Sequence, residues 1–152
     1  MMRTVFRPGC TTELLERLGR LRPDSARRWG RMNAHQAVCH LSDSLKALLG
    51  DRPVPARPLT LRKRLIRFVA FTVPLPWPHG FRTSTELDAE KGGTRPDVFE
   101  RDLTQLESLL RRFVATGGDG LEPHYVWGRL SRGEWGRYVY RHVAHHLRQF
   151  GV

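Results

Sequence analysis

Apolar residues recur at intervals of three and four along several segments of this chain, which is the spacing of one face of an α-helix. The clearest stripe lies within residues 97–116 and consists of Phe99, Leu103, Leu106, Leu110 and Phe113. No segment shows the strict alternation of apolar and polar residues that indicates a half-buried strand. The pattern therefore predicts an all-α fold with four main helices around one core, and no sheet of more than two strands.

Residues that typically begin and end helices set the boundaries of the first two elements. Threonines at positions 11–12 open a short amphipathic helix that ends before Pro23. Asn33 can cap a second helix that runs to about Leu49, because an asparagine side chain accepts hydrogen bonds from the free N–H groups of a first turn. Gly50 follows directly and is typical of a helix end.

The remaining elements are a basic helix, a long connection and a final helix. One face of the basic helix carries Leu61, Leu65, Phe68, Val69 and Thr72. We expect this face to pack against the rest of the domain, although such a helix can also lie on a membrane surface. Residues 73–95 are rich in proline and glycine and predict a long irregular connection over one end of the helices. Ser131 and Glu134 form a capping box that opens a last helix running to about Phe150.

Composition narrows the possible classes of protein. The 152 residues correspond to one domain, 1–152, with a formal charge of +11. All but three of the basic residues are arginines spread along the chain, whereas a nucleic-acid site gathers them on one face. We therefore favour compositional bias over nucleic-acid binding. No apolar run approaches the ~18 residues of a membrane span. Two cysteines, Cys10 and Cys39, and the lack of an export signal predict a reducing cytoplasm.

Two histidines of the last helix lie on its apolar face. Each residue of an α-helix turns by about 100°, so His142 and His146 share a stripe with Trp135, Val139 and Val143. Buried imidazoles are unfavourable unless their nitrogens are bonded. The spacing leaves two interpretations open: a pair of hydrogen-bonded core histidines, or two ligands of one divalent metal ion.

A third histidine, His40, lies at the edge of the apolar arc of the second helix, beside small side chains. Facing helices could bring it to the other two, and three neutral imidazoles would leave positions open on Zn²⁺, Ni²⁺ or Fe²⁺. We expect His35 to face water and Cys39 to be an ordinary buried thiol. His145 lies on the polar flank and is expected to bind no metal. Asp43 could orient a ligand, but a solvated carboxylate is the favoured interpretation.

Other polar side chains are expected away from this group. The same helical spacing places Arg137, Arg141 and Arg148 on the solvated side of the last helix. His79 is expected to face solvent. His124 is expected to pack among aromatic residues at one end of the helices.

Four motifs resemble the DinB-like superfamily and, within it, a subfamily of unknown function: Arg31–Asp43, His124–Ser131, Glu134–Gly136 and His142–Phe150. The resemblance implies an up-down-down-up four-helix bundle. It also implies a metal triad of one histidine from the second helix and two from the last, which are here His40, His142 and His146. Characterised relatives include S-transferases and isomerases that use mycothiol or bacillithiol, and members often form homodimers.

These observations predict a metal-dependent enzyme, either a thiol-dependent S-transferase or a hydrolase acting on a small molecule. The ion would accept a substrate thiolate or lower the pKa of water. The first alternative is a non-catalytic metal-binding bundle, and the second is an arginine-rich nucleic-acid-binding protein. An open metal site beside the long connection would favour the enzyme, and a sealed site with four ligands would favour the non-catalytic bundle.

Overall fold

The computed structural model describes residues 2–73, 77, 79–80 and 83–152. The regular structure in this part of the chain is helical, which confirms the predicted all-α fold. It contains one turn of 3₁₀ helix, Thr85–Leu87, and five α-helices: Pro8–Leu18 (α1), Ala34–Leu48 (α2), Leu61–Thr72 (α3), Phe99–Ala115 (α4) and Arg132–Gln149 (α5).

The core lies where α2 packs on α4, α1 packs on α5, and α2 meets α5. The stripe predicted on α4 faces this core, with Leu106, Leu110 and Phe113 fully buried. α2 is buried along nearly its whole length, on more than one face. Polar side chains of α2 must therefore find partners inside the protein, because a buried polar group without a hydrogen bond is costly.

Asn33 caps α2 as predicted and forms a capping box with Gln36, and the capping box predicted for Ser131 and Glu134 is present before α5. The predicted threonine cap of the first helix is wrong. α1 begins earlier, with Pro8 in its first turn. Proline suits that position because its missing N–H would have no partner within the helix.

The apolar face of α3 is exposed, which contradicts the prediction that it packs against the rest of the domain. Leu61 is 83% exposed, Leu65 66% and Phe68 65%. Phe71 is the buried residue of this helix. No helix within the described residues is both long and apolar enough to cross a membrane.

Two arginines of α5 hold α3 by its C-terminal end, so the prediction that they lie on a solvated face is wrong. Arg137 donates to the Phe71 carbonyl at 3.1 Å. Arg141 donates to the carbonyls of Ala70 and Val73. The last carbonyls of a helix lack partners within it and carry partial negative charge, so these cations stabilise the end of α3.

The described part of the connection between α3 and α4 packs closely on α2. Leu87, Asp88 and Ala89 are buried there, in and directly after the 3₁₀ turn. This part of the connection lies against α2 and contains a 3₁₀ turn, so it is more regular than the irregular connection that the sequence predicts. The prediction for residues 74–76, 78 and 81–82 lies outside the described residues.

Candidate metal centre

His40, His142 and His146 converge at the contact between α2 and α5. His40 is buried, whereas His142 and His146 are half-buried. One ring nitrogen from each lies within 4.8 Å of the others. The Nε2 atoms of His40 and His142 are 3.1 Å apart, close to the about 3.3 Å expected between two nitrogen ligands of a tetrahedral Zn²⁺. The structure thus brings together the three histidines that the sequence singled out.

A hydrogen bond to the backbone orients His40. Its Nδ1 lies 3.0 Å from the carbonyl oxygen of Leu87. A carbonyl only accepts, so Nδ1 carries the proton and Nε2 keeps its lone pair. That lone pair faces the two histidines of α5.

A chain of two hydrogen bonds fixes His146 in the same way. The Gln149 amide nitrogen donates to the Trp29 carbonyl at 2.8 Å, which sets the orientation of the amide. Its Oε1 therefore faces the Nδ1 of His146, 2.8 Å away, and accepts the proton there. The Nε2 of His146 is left with a lone pair. The Nδ1 of His142 lies 3.4 Å from the Tyr138 hydroxyl, which can accept its proton.

Burial keeps the three imidazoles neutral. It lowers the pKa of His40, His142 and His146 because water no longer solvates the charged form. Asp43 and Asp88 raise the pKa of His40, but their effect is weaker than that of burial. The group of three donors contains no carboxylate. It could therefore bind a divalent ion while leaving the charge of that ion uncompensated.

Aromatic side chains flank the three histidines. Trp77 lies 5.9 Å from His142, centroid to centroid. Near His146, Trp29 stacks on His79 at 4.0 Å and meets the edge of His145 at 5.7 Å. Among the described residues, the indole nitrogens of both tryptophans and the Nδ1 of His145 have no hydrogen-bond partner.

The other histidines occupy different positions. His145 is not one of the three converging donors. His79 is exposed, as predicted, although it stacks on Trp29. His124 is buried and packs on Tyr138 with ring centroids 4.5 Å apart, as predicted. Its Nδ1 accepts a hydrogen bond from the Val126 N–H at 3.0 Å.

Two predictions about polar residues of α2 are wrong. Asp43 is fully buried, not solvated, and accepts hydrogen bonds from Arg52 at 3.1 Å and from the Thr94 N–H at 2.6 Å. His35 does not face water, because its Nε2 lies 2.7 Å from a carboxylate oxygen of Asp102. Both side chains found partners on segments far away in the sequence, which a helical wheel does not show.

Sequence reasoning missed the residues that orient the three histidines. Tyr138 precedes His142 by four positions and Gln149 follows His146 by three, so helical spacing could have found both. The role of the Leu87 carbonyl could not be predicted from the sequence, because every residue type has a backbone carbonyl.

Fold and site together define an all-helical protein with a candidate three-histidine metal centre. A comparison with known protein families matches residues 11–151 to the family described as "Protein of unknown function (DUF1569)". The chain belongs to this family. Comparisons with curated proteins and with solved structures found no match.

Proposed function

We propose that this chain is a metal-dependent enzyme of the DinB-like type, in which His40, His142 and His146 hold one divalent ion. In this proposal α1, α2, α4 and α5 form the up-down-down-up bundle of a single domain, 1–152, with α3 at its side. The observation that carries it is the convergence of three imidazoles whose second nitrogens have hydrogen-bond partners. Ligating histidines characteristically have such partners.

The accessibility of the group supports an enzyme rather than a non-catalytic metal-binding bundle. Structural zinc sites are closed by four protein ligands, whereas catalytic sites keep a position open. Within the described residues three donors converge on this point, and His142 and His146 are half-buried rather than sealed. The Trp77 ring lies beside His142, with ring centroids 5.9 Å apart.

The donor set favours an anionic ligand. Zn²⁺, Ni²⁺ or Fe²⁺ held by three neutral ligands supplies Lewis acidity and keeps its positive charge, which attracts a thiolate or a carboxylate. The Arg141 guanidinium, 5.6 Å from the centre of the Trp77 ring, adds positive charge at the rim. These features support a thiol-dependent S-transferase or a hydrolase, with a low-molecular-weight thiol as the co-substrate in the first case.

We extend the proposal to a homodimer in the cytoplasm. The exposed apolar side chains of α3, from Leu61 to Phe68, support pairing of two copies, because burying them removes apolar surface from water. Cys10 and Cys39 are both free buried thiols, which supports a reducing compartment.

An activity assay with defined metal content tests this function. Untagged protein is loaded separately with Zn²⁺, Ni²⁺ or Fe²⁺. It is then mixed with a low-molecular-weight thiol and a panel of electrophiles, or with a panel of esters. We expect thiol consumption or ester hydrolysis that disappears on chelation and in His142→Ala. His145→Ala, which removes a neighbouring imidazole from the same helix, should stay active.

Two results would contradict the enzyme. Activity that survives both chelation and His142→Ala would not depend on the three histidines. A fully loaded protein that is inactive in every assay would favour the non-catalytic bundle. DNA binding that weakens steeply with salt would instead support the nucleic-acid alternative.

A further inference from the structure

A second cluster of metal-ligating side chains lies on another face of α2, outside the proposed function. His35 and Cys39 are one turn apart on α2 and face Asp102 of α4. One nitrogen, one sulfur and one carboxylate oxygen lie within 4.8 Å of one another. The Nε2 of His35 is 2.7 Å from the Asp102 Oδ2, and the Cys39 Sγ is 3.8 Å from the same oxygen.

We propose that His35, Cys39 and Asp102 form a second divalent-metal site, of mixed sulfur, nitrogen and oxygen character, which joins α2 to α4. This donor set suits Zn²⁺ and its probe Co²⁺. Zinc bonds of about 2.3 Å to sulfur and 2.0 Å to oxygen place these two atoms about 3.5 Å apart at a tetrahedral angle. The observed sulfur–oxygen distance fits, and His35 needs to withdraw from Asp102 by about half an ångström.

The surroundings allow an ion to enter and to complete its coordination. The Cys39 side chain is buried, whereas the side chains of His35 and Asp102 are 16% and 14% exposed. One edge of the cluster therefore reaches solvent, from which a water molecule can supply a fourth ligand. The Phe99 ring packs against His35 on another side, with centroids 5.3 Å apart, and limits the rotation of the imidazole.

Several groups of the second cluster and its surroundings approach the same carboxylate oxygen of Asp102. Its Oδ2 is approached by His35, by the thiol of Cys39 and by the backbone N–H of Asp97 at 3.2 Å. A thiol is a weak donor, so its hydrogen bond contributes little. An ion replaces these contacts with metal bonds. The S–H bond of Cys39 breaks and its proton leaves to the buffer, whereas the proton on His35 Nε2 is replaced by one on Nδ1, so the imidazole stays neutral and one proton is released in all. Thiolate and carboxylate then balance both charges of the ion.

Cobalt titration of the chelator-stripped full chain, kept reduced with a phosphine, tests the site. The proposal predicts a thiolate-to-cobalt charge-transfer band in the near ultraviolet. Because the three-histidine group contains no sulfur, the band should persist in His142→Ala. The band should disappear in Cys39→Ser and persist in Cys10→Ser, the matched change at the other buried cysteine.

Proton release gives a second measurement that does not depend on a cysteine variant folding. In His142→Ala, each cobalt bound at the second site should release one proton, measured by repeating calorimetric titration in buffers of different ionisation enthalpy. The proposal is overturned if wild-type protein saturated with Co²⁺ shows no charge-transfer band. It is also overturned if Cys10→Ser removes the band, or if cobalt binds to His142→Ala without releasing a proton. None of these outcomes bears on the three-histidine group.

Discussion

Two histidines of α2, His40 and His35, have different kinds of partner in the protein interior. His40 joins two further imidazoles, and the three donors that converge there include no carboxylate. His35, five positions before His40 on the same helix, has its Nε2 2.7 Å from a carboxylate oxygen of Asp102. In the first cluster the Nε2 atoms of His40 and His142 face each other at 3.1 Å, an arrangement that one cation could satisfy. The second already pairs a hydrogen-bond donor with an acceptor.

The two clusters also differ in how burial shifts the pKa values of their side chains. Burial lowers the pKa of the three converging histidines, which favours their neutral, metal-binding form. In the second cluster burial raises the pKa of the Cys39 thiol to about 12, and Asp102 adds to this effect. Metal-free protein therefore keeps its thiol protonated. In the two proposed metal sites, the first cluster would bind an ion in its present protonation state, whereas the second would have to lose a proton first.

Acid should destabilise the folded protein through His124, which lies outside both clusters, and this is the largest effect we expect. Burial lowers the pKa of His124 to about 3, so below pH 6.5 the unfolded chain binds a proton that the folded chain does not. Stability therefore falls with pH at up to about 1.4 kcal/mol per pH unit, or about 3 kcal/mol between pH 6.5 and 4, from His124 alone. Urea denaturation of chelator-treated protein at several pH values measures the loss.

The second cluster should not contribute to that loss. Although burial opposes it, the hydrogen bond from His35 lowers the pKa of Asp102 below 3.8, so its stabilisation is present above pH 3.8 and is lost only below that. His124→Asn isolates the contribution of His124, because the asparagine side-chain oxygen can still accept a hydrogen bond from the Val126 N–H. The variant should show an acid dependence shallower by one proton. An equal slope in the variant and the wild type would contradict the account.

Removing the partner of His146 should weaken metal binding at the first cluster. Gln149→Leu deletes the acceptor of the His146 Nδ1 proton, and loss of such a partner typically lowers metal affinity about 10–100-fold. Gln149→Glu keeps an acceptor at that position and should retain most of the affinity. Competition with a zinc chelator measures both variants. Equal affinity for Gln149→Leu and wild type would show that Gln149 does not support the ligand.

Asp102→Ala should destabilise the metal-free protein by about 1–3 kcal/mol, because it leaves the nearly buried His35 without its partner. Glu100→Ala is the matched control, since Glu100 is an exposed acidic residue in the same first turn of α4. Both variants lose a favourable charge at the helix N-terminus. Only Asp102→Ala loses the bridge to α2, and equal effects in chemical denaturation would contradict that role.

The smallest effect on stability is expected far from both clusters, on α3. Leu65→Glu should change the free energy of unfolding by less than about 0.5 kcal/mol, because Leu65 is 66% exposed. It should nevertheless convert the proposed dimer to a monomer, whereas Arg64→Glu beside it should not. Sedimentation equilibrium measures the change. A wild-type protein that is monomeric at all concentrations would contradict the proposed dimer.

The helices and the three-histidine set followed from the sequence because both depend on local periodicity. His142 and His146 are one turn apart on an apolar stripe, and a helical wheel shows this directly. The same wheel placed His35 towards water, because it contains no information about α4. Asp102 and Leu87 reach α2 from other parts of the chain. The exposed face of α3 was missed for a related reason: an apolar stripe predicts what a helix can bury, not whether a partner is present.

Zinc titration in a Cys39→Ser background tests the central claim most directly, because this change removes the sulfur ligand of the second cluster. Isothermal calorimetry of the untagged, chelator-stripped protein should show one tightly bound Zn²⁺ per chain. Adding His142→Ala should abolish this binding, because two of the three converging imidazoles cannot hold the ion tightly, and adding His145→Ala should leave it unchanged. Full tight binding in the His142→Ala protein would show that His40, His142 and His146 do not form the metal centre.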